Sequence, residues 1–218
     1  MYKCVVFDLD GTIADTIDTI TYFANFALEK FGLPIIEKDR YKHLVGDGYK
    51  VLIKRMLKEV GQENYGSYEE LAGFYHDEYD KNSMYLTKAF EGMPELILAL
   101  KENNIKLAVL SNKPEGAVKM VASKLYGDVF DLCFGYKEGV VLKPDPTLLF
   151  EIIEKLGCSP EECVYVGDTD TDMKTGKNAG AFTVGVLWGF RREDELLKTG
   201  ADFIAKTPSD ILKLIESE

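Results

Sequence analysis

The chain has 218 residues, 46% of them hydrophobic and 29% charged, a balance that is typical of a globular protein and excludes a disordered one. Its formal net charge of −11 argues against nucleic acids and acidic membranes as partners, because both bind basic surfaces. The first apolar run reaches Asp8 too early for a signal peptide, and no run is long enough to span a bilayer, so we predict a cytoplasmic protein.

Short continuous apolar runs predict the strands. Such runs are typical of strands that are buried on both faces of a parallel sheet. In chain order they cover residues 4–7, 106–110, 131–134, 163–166, 183–187 and 202–205. A helix is predicted over 94–103, and Ser159, followed by Pro160 and two glutamates, predicts a second helix start. Strands that alternate with helices predict an α/β fold, a doubly wound, Rossmann-like parallel sheet.

The interval 15–86 interrupts this alternation. It carries helical apolar patterns at 22–31 and 51–60 and no comparable strand run. We therefore expect a core formed by residues 1–14 and 87–218, with an inserted α-helical cap over 15–86. An insert directly after the first strand lies beside the crevice in which open α/β sheets bind ligands, so we expect the cap to act as a lid.

Polar side chains stand where the predicted strands end. They are Asp8 and Asp10, Ser111 and Asn112, and Asp168 and Asp172, while a proline-rich loop adds Lys143. Several aspartates at one edge of a sheet repel one another unless a cation offsets their charge. A hard divalent cation with oxygen ligands fits this pattern, which predicts a Mg²⁺ site.

The spacing of the aspartates indicates how they group. Asp10 lies two residues after Asp8, so in an extended segment both side chains project to the same side. Asp172 lies four residues after Asp168, which places both on one face if a helix begins there.

A zinc site is not expected. Both histidines, His43 and His76, fall in the predicted cap, where we interpret them as exposed or packed residues, although either could face a substrate. The four cysteines show no Cys-x-x-Cys spacing, so we interpret them as small buried side chains rather than as zinc ligands or a disulfide frame.

Taken in order, these residues resemble the motifs of the haloacid dehalogenase superfamily, more narrowly its phosphatases with a helical cap inserted after the first motif. The matching motifs are Asp8-Leu9-Asp10-Gly11-Thr12, Ser111, Lys143, and Gly167-Asp168-Thr169 with Asp172. The resemblance implies that Asp8 is the nucleophile that becomes an aspartyl phosphate, and that Asp10 acts first as general acid and then as general base. This role requires the pKa of Asp10 to be raised relative to that of Asp8, which the metal keeps ionised.

The resemblance also implies roles for the other site residues. Mg²⁺ would be bound by the Asp8 carboxylate, the Asp10 backbone carbonyl and Asp168, with Asp172 nearby. Ser111 and Lys143 would hold the phosphoryl oxygens. Further substrate contacts are expected from Gly11, Thr12 and Asn112 in the core and from Gly46 and Gly48 in the cap.

Within the superfamily the chain looks most like bacterial phosphoglycolate phosphatases. Gly46-Asp47-Gly48 resembles their cap loop, and Ser111-Asn112-Lys113-Pro114 resembles their second motif. We expect a monomer or homodimer that hydrolyses a small phosphorylated metabolite. A phosphomutase, a pyrophosphatase or nucleotidase, and a non-enzymatic phosphoaspartate signalling module stay open as alternatives. The stretch 188–191, which ends in Arg191, either borders the site or packs the edge of the core.

Overall fold

The computed structural model describes residues 1–217, and the chain divides into two compact units. One unit comprises Met1–Asp15 and Ala89–Glu218, and the other comprises Thr16–Lys88. Within residues 1–217, no helix has the length and apolar character needed to cross a membrane.

A six-stranded parallel sheet forms the centre of the first unit. Its strands are β1 (Cys4–Phe7), β4 (Lys106–Pro114), β5 (Leu132–Tyr136), β6 (Cys163–Gly167), β7 (Phe182–Val186) and β8 (Phe203–Ala205). They lie in the order β5-β4-β1-β6-β7-β8, and every neighbouring pair is parallel. The predicted α/β fold is therefore confirmed, and the two weaker apolar runs form the edge strands β5 and β8.

Helices cover the sheet on both faces. They are α5 (Met93–Glu102), α6 (Glu115–Tyr126), α7 (Thr147–Lys155), α8 (Asp170–Ala179), α9 (Glu193–Thr199) and α10 (Pro208–Glu216). Cys4 and Val6 pack in one core cluster with the apolar side chains of α7, whereas Val5 and Phe7, which alternate with them, are equally buried. Burial on both faces explains why β1 is a continuous apolar run, and each buried Val or Phe stabilises the fold by about 1.5–3 kcal/mol.

The helix start predicted at Ser159 is confirmed, since Ser159 caps a helical segment that begins at Pro160, but that segment is short. Glu162 accepts a hydrogen bond from the Ser159 backbone N–H at 3.0 Å, as a capping residue does, but the helical segment is one 3₁₀ turn, Pro160–Glu162. The next residues belong to β6, which pairs with β1 from Cys163 to Val166. The apolar run that follows is held in the sheet, so the capping signal produces only a turn.

Strand β4 is longer than the apolar run that predicted it. It continues to Pro114, so Ser111 and Asn112 lie within the strand and not after it. Its register with β5 shifts between Leu110 and Pro114. Gly135 of β5 permits this irregularity, since a Cβ there would lie 2.6 Å from the Lys113 carbonyl oxygen.

The second unit consists mainly of helices. They are α1 (Ile17–Lys30), α2 (Lys38–Leu44), α3 (Tyr49–Glu59) and α4 (Tyr68–Lys81). The short strands β2 (Ala14–Asp15) and β3 (Lys88–Ala89), which stand where the chain passes from one unit to the other, form a separate sheet. Helix α1 packs against α2 and α4. The Asn25 side chain fixes the segment after α1, because it exchanges two 2.9 Å hydrogen bonds with the Ile36 backbone and accepts one from the Tyr41 hydroxyl.

Candidate active site

The ends of β1 and β6 bring two aspartates together. Phe7 of β1 pairs with Val166 of β6, and the Asp8 backbone N–H donates to the Val166 carbonyl at 2.8 Å. Asp8 therefore leaves β1 beside the point where Asp168 leaves β6. Both side chains are buried.

A third aspartate joins them from the first turn of α8. The helix begins at Asp170, so Asp168 precedes it, and the two side chains are not related by helical spacing as the sequence suggested. Asp172 is instead held by the helix cap, because Thr169 donates to its Oδ2 through both the backbone N–H (3.0 Å) and the hydroxyl (2.6 Å).

These three carboxylates fit a hard divalent cation. Asp8, Asp168 and Asp172 each offer one oxygen, and the three oxygens lie within 4.8 Å of one another. All three side chains are buried. A compact all-oxygen donor set of this kind suits Mg²⁺ better than zinc. The cluster can therefore hold a metal ion.

Lys143 is buried against two of these three carboxylates. Its Nζ lies 2.7 Å from Asp8 Oδ1 and 2.7 Å from Asp172 Oδ1, and it also donates to the Leu110 carbonyl and the Tyr165 hydroxyl. Burial alone would lower the pKa of Lys143, but Asp172 and Asp8 outweigh it and raise that pKa well above its usual value. Lys143 is thus a fixed positive charge between two aspartates.

Asn112 positions Lys143 through the backbone. The Asn112 side-chain amide accepts from the Lys143 N–H at 2.9 Å and donates to the Lys143 carbonyl at 3.3 Å. This amide, which we expected to contact substrate, is therefore engaged in holding the lysine loop. The neighbouring Ser111 hydroxyl accepts from the Lys113 N–H at 3.3 Å.

Burial makes the metal-free carboxyls difficult to ionise. It raises the pKa of Asp8 to about 7, Lys143 opposes this increase, and the charge of Asp172 adds to it. Burial, together with Asp172 and Asp8, also raises the pKa of Asp168 well above its usual value. A cation bound between these groups lowers both pKa values, because it favours the charged form.

The loop after β1 lies against Asp168. Thr12 donates its hydroxyl to Asp168 Oδ1 at 3.3 Å. Gly11 has φ of +89°, and a Cβ there would lie only 2.3 Å from Asp168 Oδ2. Glycine at this position is therefore required both by the backbone conformation and by the close approach of a carboxylate.

The stretch after β7 borders the site. The Phe190 backbone N–H donates to Asp168 Oδ2 at 2.7 Å, and the Trp188 indole N–H donates to the Thr12 carbonyl at 2.9 Å. Gly189 allows this contact, since a Cβ there would lie 2.3 Å from the Asp168 Cβ. The Arg191 side chain, 8% exposed, has its Nε 4.0 Å from Asp170 and from Glu195.

Two further residues at the site had no predicted role. The Lys113 Nζ lies 2.8 Å from Asp10 Oδ1, and the lysine side chain is only 6% exposed. Tyr165 is fully buried in β6, and its hydroxyl accepts from Lys143 and donates to Asp172 Oδ1 at 3.2 Å. A tyrosine inside an apolar run resembles an ordinary core residue, so only the position of its hydroxyl reveals the contact.

The other predicted residues belong to the helical unit. Gly46 and Gly48 both have positive φ (+123° and +86°), and Gly48 precedes α3. Arg55 fixes the loop between them, because it donates to the Leu44 carbonyl and pairs with Asp47 at 2.5 Å.

The two histidines are also in the helical unit. His43 is exposed on α2. His76 is partly buried and stacks on the Tyr49 ring with centroids 4.7 Å apart.

Asp8 and Asp168 follow the carboxyl ends of two parallel strands, and Asp172 and the buried Lys143 lie beside them, at the edge where open α/β sheets bind ligands. This is a site of the kind that hydrolases on α/β sheets use, with carboxylates that can hold a metal ion. The family model for haloacid dehalogenase-like hydrolases matches residues 5–186, so the chain belongs to this family of enzymes. The predicted superfamily is thereby confirmed.

Individual relatives resemble the chain over its whole length. A phosphoglycolate phosphatase of Aquifex aeolicus (strain VF5) is 33% identical over 99% of this chain and 97% of its own. A phosphoglycolate phosphatase of Mannheimia succiniciproducens is 28% identical, with 98% of each chain covered. A crystal structure of a protein from Lactobacillus delbrueckii subsp. bulgaricus superposes with a TM-score of 0.94 at 29% identity over 98% of both chains.

Proposed function

We propose that this hydrolase is a Mg²⁺-dependent phosphatase that hydrolyses a small phosphate monoester, phosphoglycolate or a close analogue, through an aspartyl-phosphate intermediate. The observation that carries the proposal is the placement of Asp8, a buried carboxylate at the end of β1, against Lys143 and within a three-carboxylate cluster. The relatives named phosphoglycolate phosphatase support this choice of substrate.

In the first half of the proposed reaction, Asp8 is the nucleophile. Its Oδ1 accepts from Lys143, so the carboxylate is held in one orientation while Oδ2 attacks phosphorus. The bond between phosphorus and the ester oxygen breaks, and Asp10 gives its proton to the departing alkoxide. Lys143 and Ser111 hold phosphoryl oxygens and neutralise the charge that develops on them.

In the second half, Asp10 is the general base. As a carboxylate it takes a proton from a water molecule, whose oxygen attacks phosphorus and displaces the Asp8 carboxylate. Inorganic phosphate and the alcohol are the products, and both aspartates return to their starting states.

The metal would be held by Asp8, Asp168 and the Asp10 backbone carbonyl, with Asp172 beside them. When bound, Mg²⁺ supplies positive charge for the phosphoryl oxygens. Gly11, Thr12 and Asn112 are the further residues expected to contact the phosphoryl group. The Gly11 N–H donates to the Ala14 carbonyl at 2.9 Å and the Thr12 N–H to the Leu9 carbonyl at 3.3 Å, so these two amides fix the loop after β1. Because the Asn112 side chain holds Lys143, its main contribution to binding is the placement of that lysine.

We also propose that the helical unit is a cap that selects the substrate. The chain enters this unit directly after the segment that carries Asp8 and Asp10. Gly46 and Gly48 are the residues expected to act there, on a loop that Arg55 fixes. The choice between monomer and homodimer and the cytoplasmic location stay predictions.

The decisive experiment combines a substrate panel with one substitution at the nucleophile. Phosphate release is measured with Mg²⁺ from phosphoglycolate, pyrophosphate, nucleoside monophosphates and hexose phosphates. Asp8→Asn should abolish release and the acid-quenched phosphoprotein, whereas Asp39→Asn, on the exposed surface of α2, should retain both.

Other outcomes would replace this proposal. If Asp8→Asn keeps the wild-type activity, Asp8 is not the nucleophile. Isomerisation of a hexose phosphate without phosphate release would indicate a phosphomutase. A stable phosphoprotein without turnover would indicate a signalling module, and a strong preference for pyrophosphate or a nucleotide would assign a different substrate.

A further inference from the structure

Lys113 is a buried cation that the proposed reaction does not use. It lies near the end of β4, its side chain is 6% exposed, and its Nζ is 2.8 Å from Asp10 Oδ1. Burying an ammonium group is unfavourable unless nearby groups offset the loss of hydration. The buried position of Lys113 therefore indicates a role other than that of a surface charge, which only keeps a protein soluble.

The two buried lysines pair with different aspartates. Lys143 pairs with Asp8 and Asp172, the nucleophile and a residue of the carboxylate cluster, whereas Lys113 pairs with Asp10. In the proposed reaction Asp10 protonates the ester oxygen, which brings its carboxyl to about 2.6–3.2 Å from that atom. Lys113 is consequently the cation on the side of the leaving alcohol, whereas Lys143 is on the side of the phosphoryl group.

We infer that Lys113 binds a carboxylate carried by the leaving group and makes the site selective for phosphate esters of 2-hydroxy acids. In such esters the carboxylate is attached to the carbon that bears the ester oxygen, so it lies next to the atom that Asp10 must reach. An ammonium group carries three N–H donors and can donate to Asp10 and to a substrate carboxylate together. This inference rests on the proposed function, and it supplies a physical reason for an acidic leaving group.

The competing explanation is purely structural. The ion pair with Lys113 also holds Asp10, so replacing Lys113 would impair every substrate if that were its whole role. A specific contact with the leaving group instead impairs only substrates that carry the carboxylate. The comparison of two esters therefore separates the explanations, in the manner of a double-mutant cycle.

The test measures kcat/KM for phosphoglycolate and for 2-hydroxyethyl phosphate, which has the same two-carbon skeleton without the carboxylate. Both are assayed with the full-length wild type, Lys113→Met and Lys113→Arg. We expect Lys113→Met to reduce the ratio of the two kcat/KM values at least about tenfold, the size of one charge-assisted hydrogen bond, and Lys113→Arg to restore part of the ratio. An equal loss on both esters would overturn the inference.

A second measurement needs no variant and covers the case in which Lys113→Met does not fold. Glycolate should inhibit hydrolysis of 2-hydroxyethyl phosphate by the wild type at concentrations where ethylene glycol does not. Equal inhibition by both compounds would also overturn the role of Lys113, but it would not contradict the proposed phosphatase activity. Hydrolysis of neither ester by the wild type would instead contradict the proposed function itself, and the role of Lys113 with it.

Discussion

Replacement of Tyr165 by phenylalanine tests whether the buried network positions the catalytic lysine. The Tyr165 hydroxyl accepts from the Lys143 Nζ at 3.1 Å and donates to Asp172 Oδ1 at 3.2 Å. The substitution removes one oxygen and leaves the ring in place, in a site where the side chain is fully buried. The change therefore affects two charged partners and little packing.

The contacts that remain set the size of the effect. A hydrogen bond to a charged group contributes about 1.5–3 kcal/mol to stability. Lys143 keeps its contacts to Asp8, Asp172 and the Leu110 carbonyl, so the loss should be nearer one such bond than two. We expect the free energy of unfolding to fall by about 2 kcal/mol, which for a chain of this size lowers Tm by roughly 4–8 °C.

A loss of turnover should accompany this loss of stability. Without the hydroxyl, Lys143 is less well fixed against Asp8, so we expect kcat to fall about tenfold, equivalent to about 1.4 kcal/mol of transition-state stabilisation, with a smaller change in KM. Steady-state phosphate release with Mg²⁺ gives both constants, and urea unfolding gives the stability.

Tyr41→Phe is the matched control. Tyr41 is also fully buried, and its hydroxyl donates to Asn25 Oδ1 at 2.8 Å within the helical unit. The Tyr41→Phe variant should lose about 1 kcal/mol of stability and retain the wild-type kcat. If Tyr165→Phe loses stability but keeps the wild-type kcat, the network does not position Lys143.

Two further predictions concern the environment of the carboxylates. Gly189→Ala places a methyl group 2.3 Å from the Asp168 Cβ and should reduce both Tm and phosphatase activity, whereas Gly116→Ala meets no atom within 4 Å and should raise stability by about 0.5 kcal/mol. Because the pKa of Asp8 is raised to about 7, the metal-free fold retains a proton that the unfolded chain loses near pH 4, and its stability falls as pH rises between these values. Mg²⁺ should therefore raise Tm more at pH 8 than at pH 5.5, and thermal melts that show the reverse would contradict this sign.

The parts of the fold that were predictable depend on patterns along the chain. Strands buried on both faces are continuous apolar runs, and Cys4–Phe7 shows this directly. The polar residues after these runs, such as Asp8 and Asp168, converge because parallel strands end at one edge of the sheet. The meeting of Asp8 and Asp168 is thus foreseeable from topology, whereas Asp172 joins them through the cap of α8.

The parts that were not predictable depend on contacts without a local sequence signal. The hydrogen bond from the Phe190 backbone N–H to Asp168 does not depend on which side chain stands at that position. The sequence therefore carries no signal for it. The extension of β4 through Ser111 depends on a register shift against β5. The turn at Ser159 has the residues of a helix start, and only its pairing context makes it the entry to a strand.

The charge balance of the cluster leads to a last prediction, that Asp168→Asn stabilises the metal-free protein. Lys143 pairs with Asp8 and Asp172, whereas Asp168 accepts from the neutral donors Thr12 and Phe190. No salt bridge to Lys143 therefore favours the charged form of Asp168, in agreement with its raised pKa. Removing the ionisable group should stabilise the metal-free fold by about 1 kcal/mol at pH 8, because burial makes Asp168 harder to ionise in the fold than in the unfolded chain. Functional sites keep such groups although they oppose folding.

The same substitution should abolish the Mg²⁺-induced increase in Tm, since the metal then loses a charged ligand. An asparagine can still accept from the Phe190 N–H and donate to the Thr12 hydroxyl, so the site keeps its shape. Thermal melts of wild type and variant at pH 8, with and without Mg²⁺, give both quantities. A variant that is less stable without metal than the wild type would show that Asp168 contributes to the fold rather than opposing it.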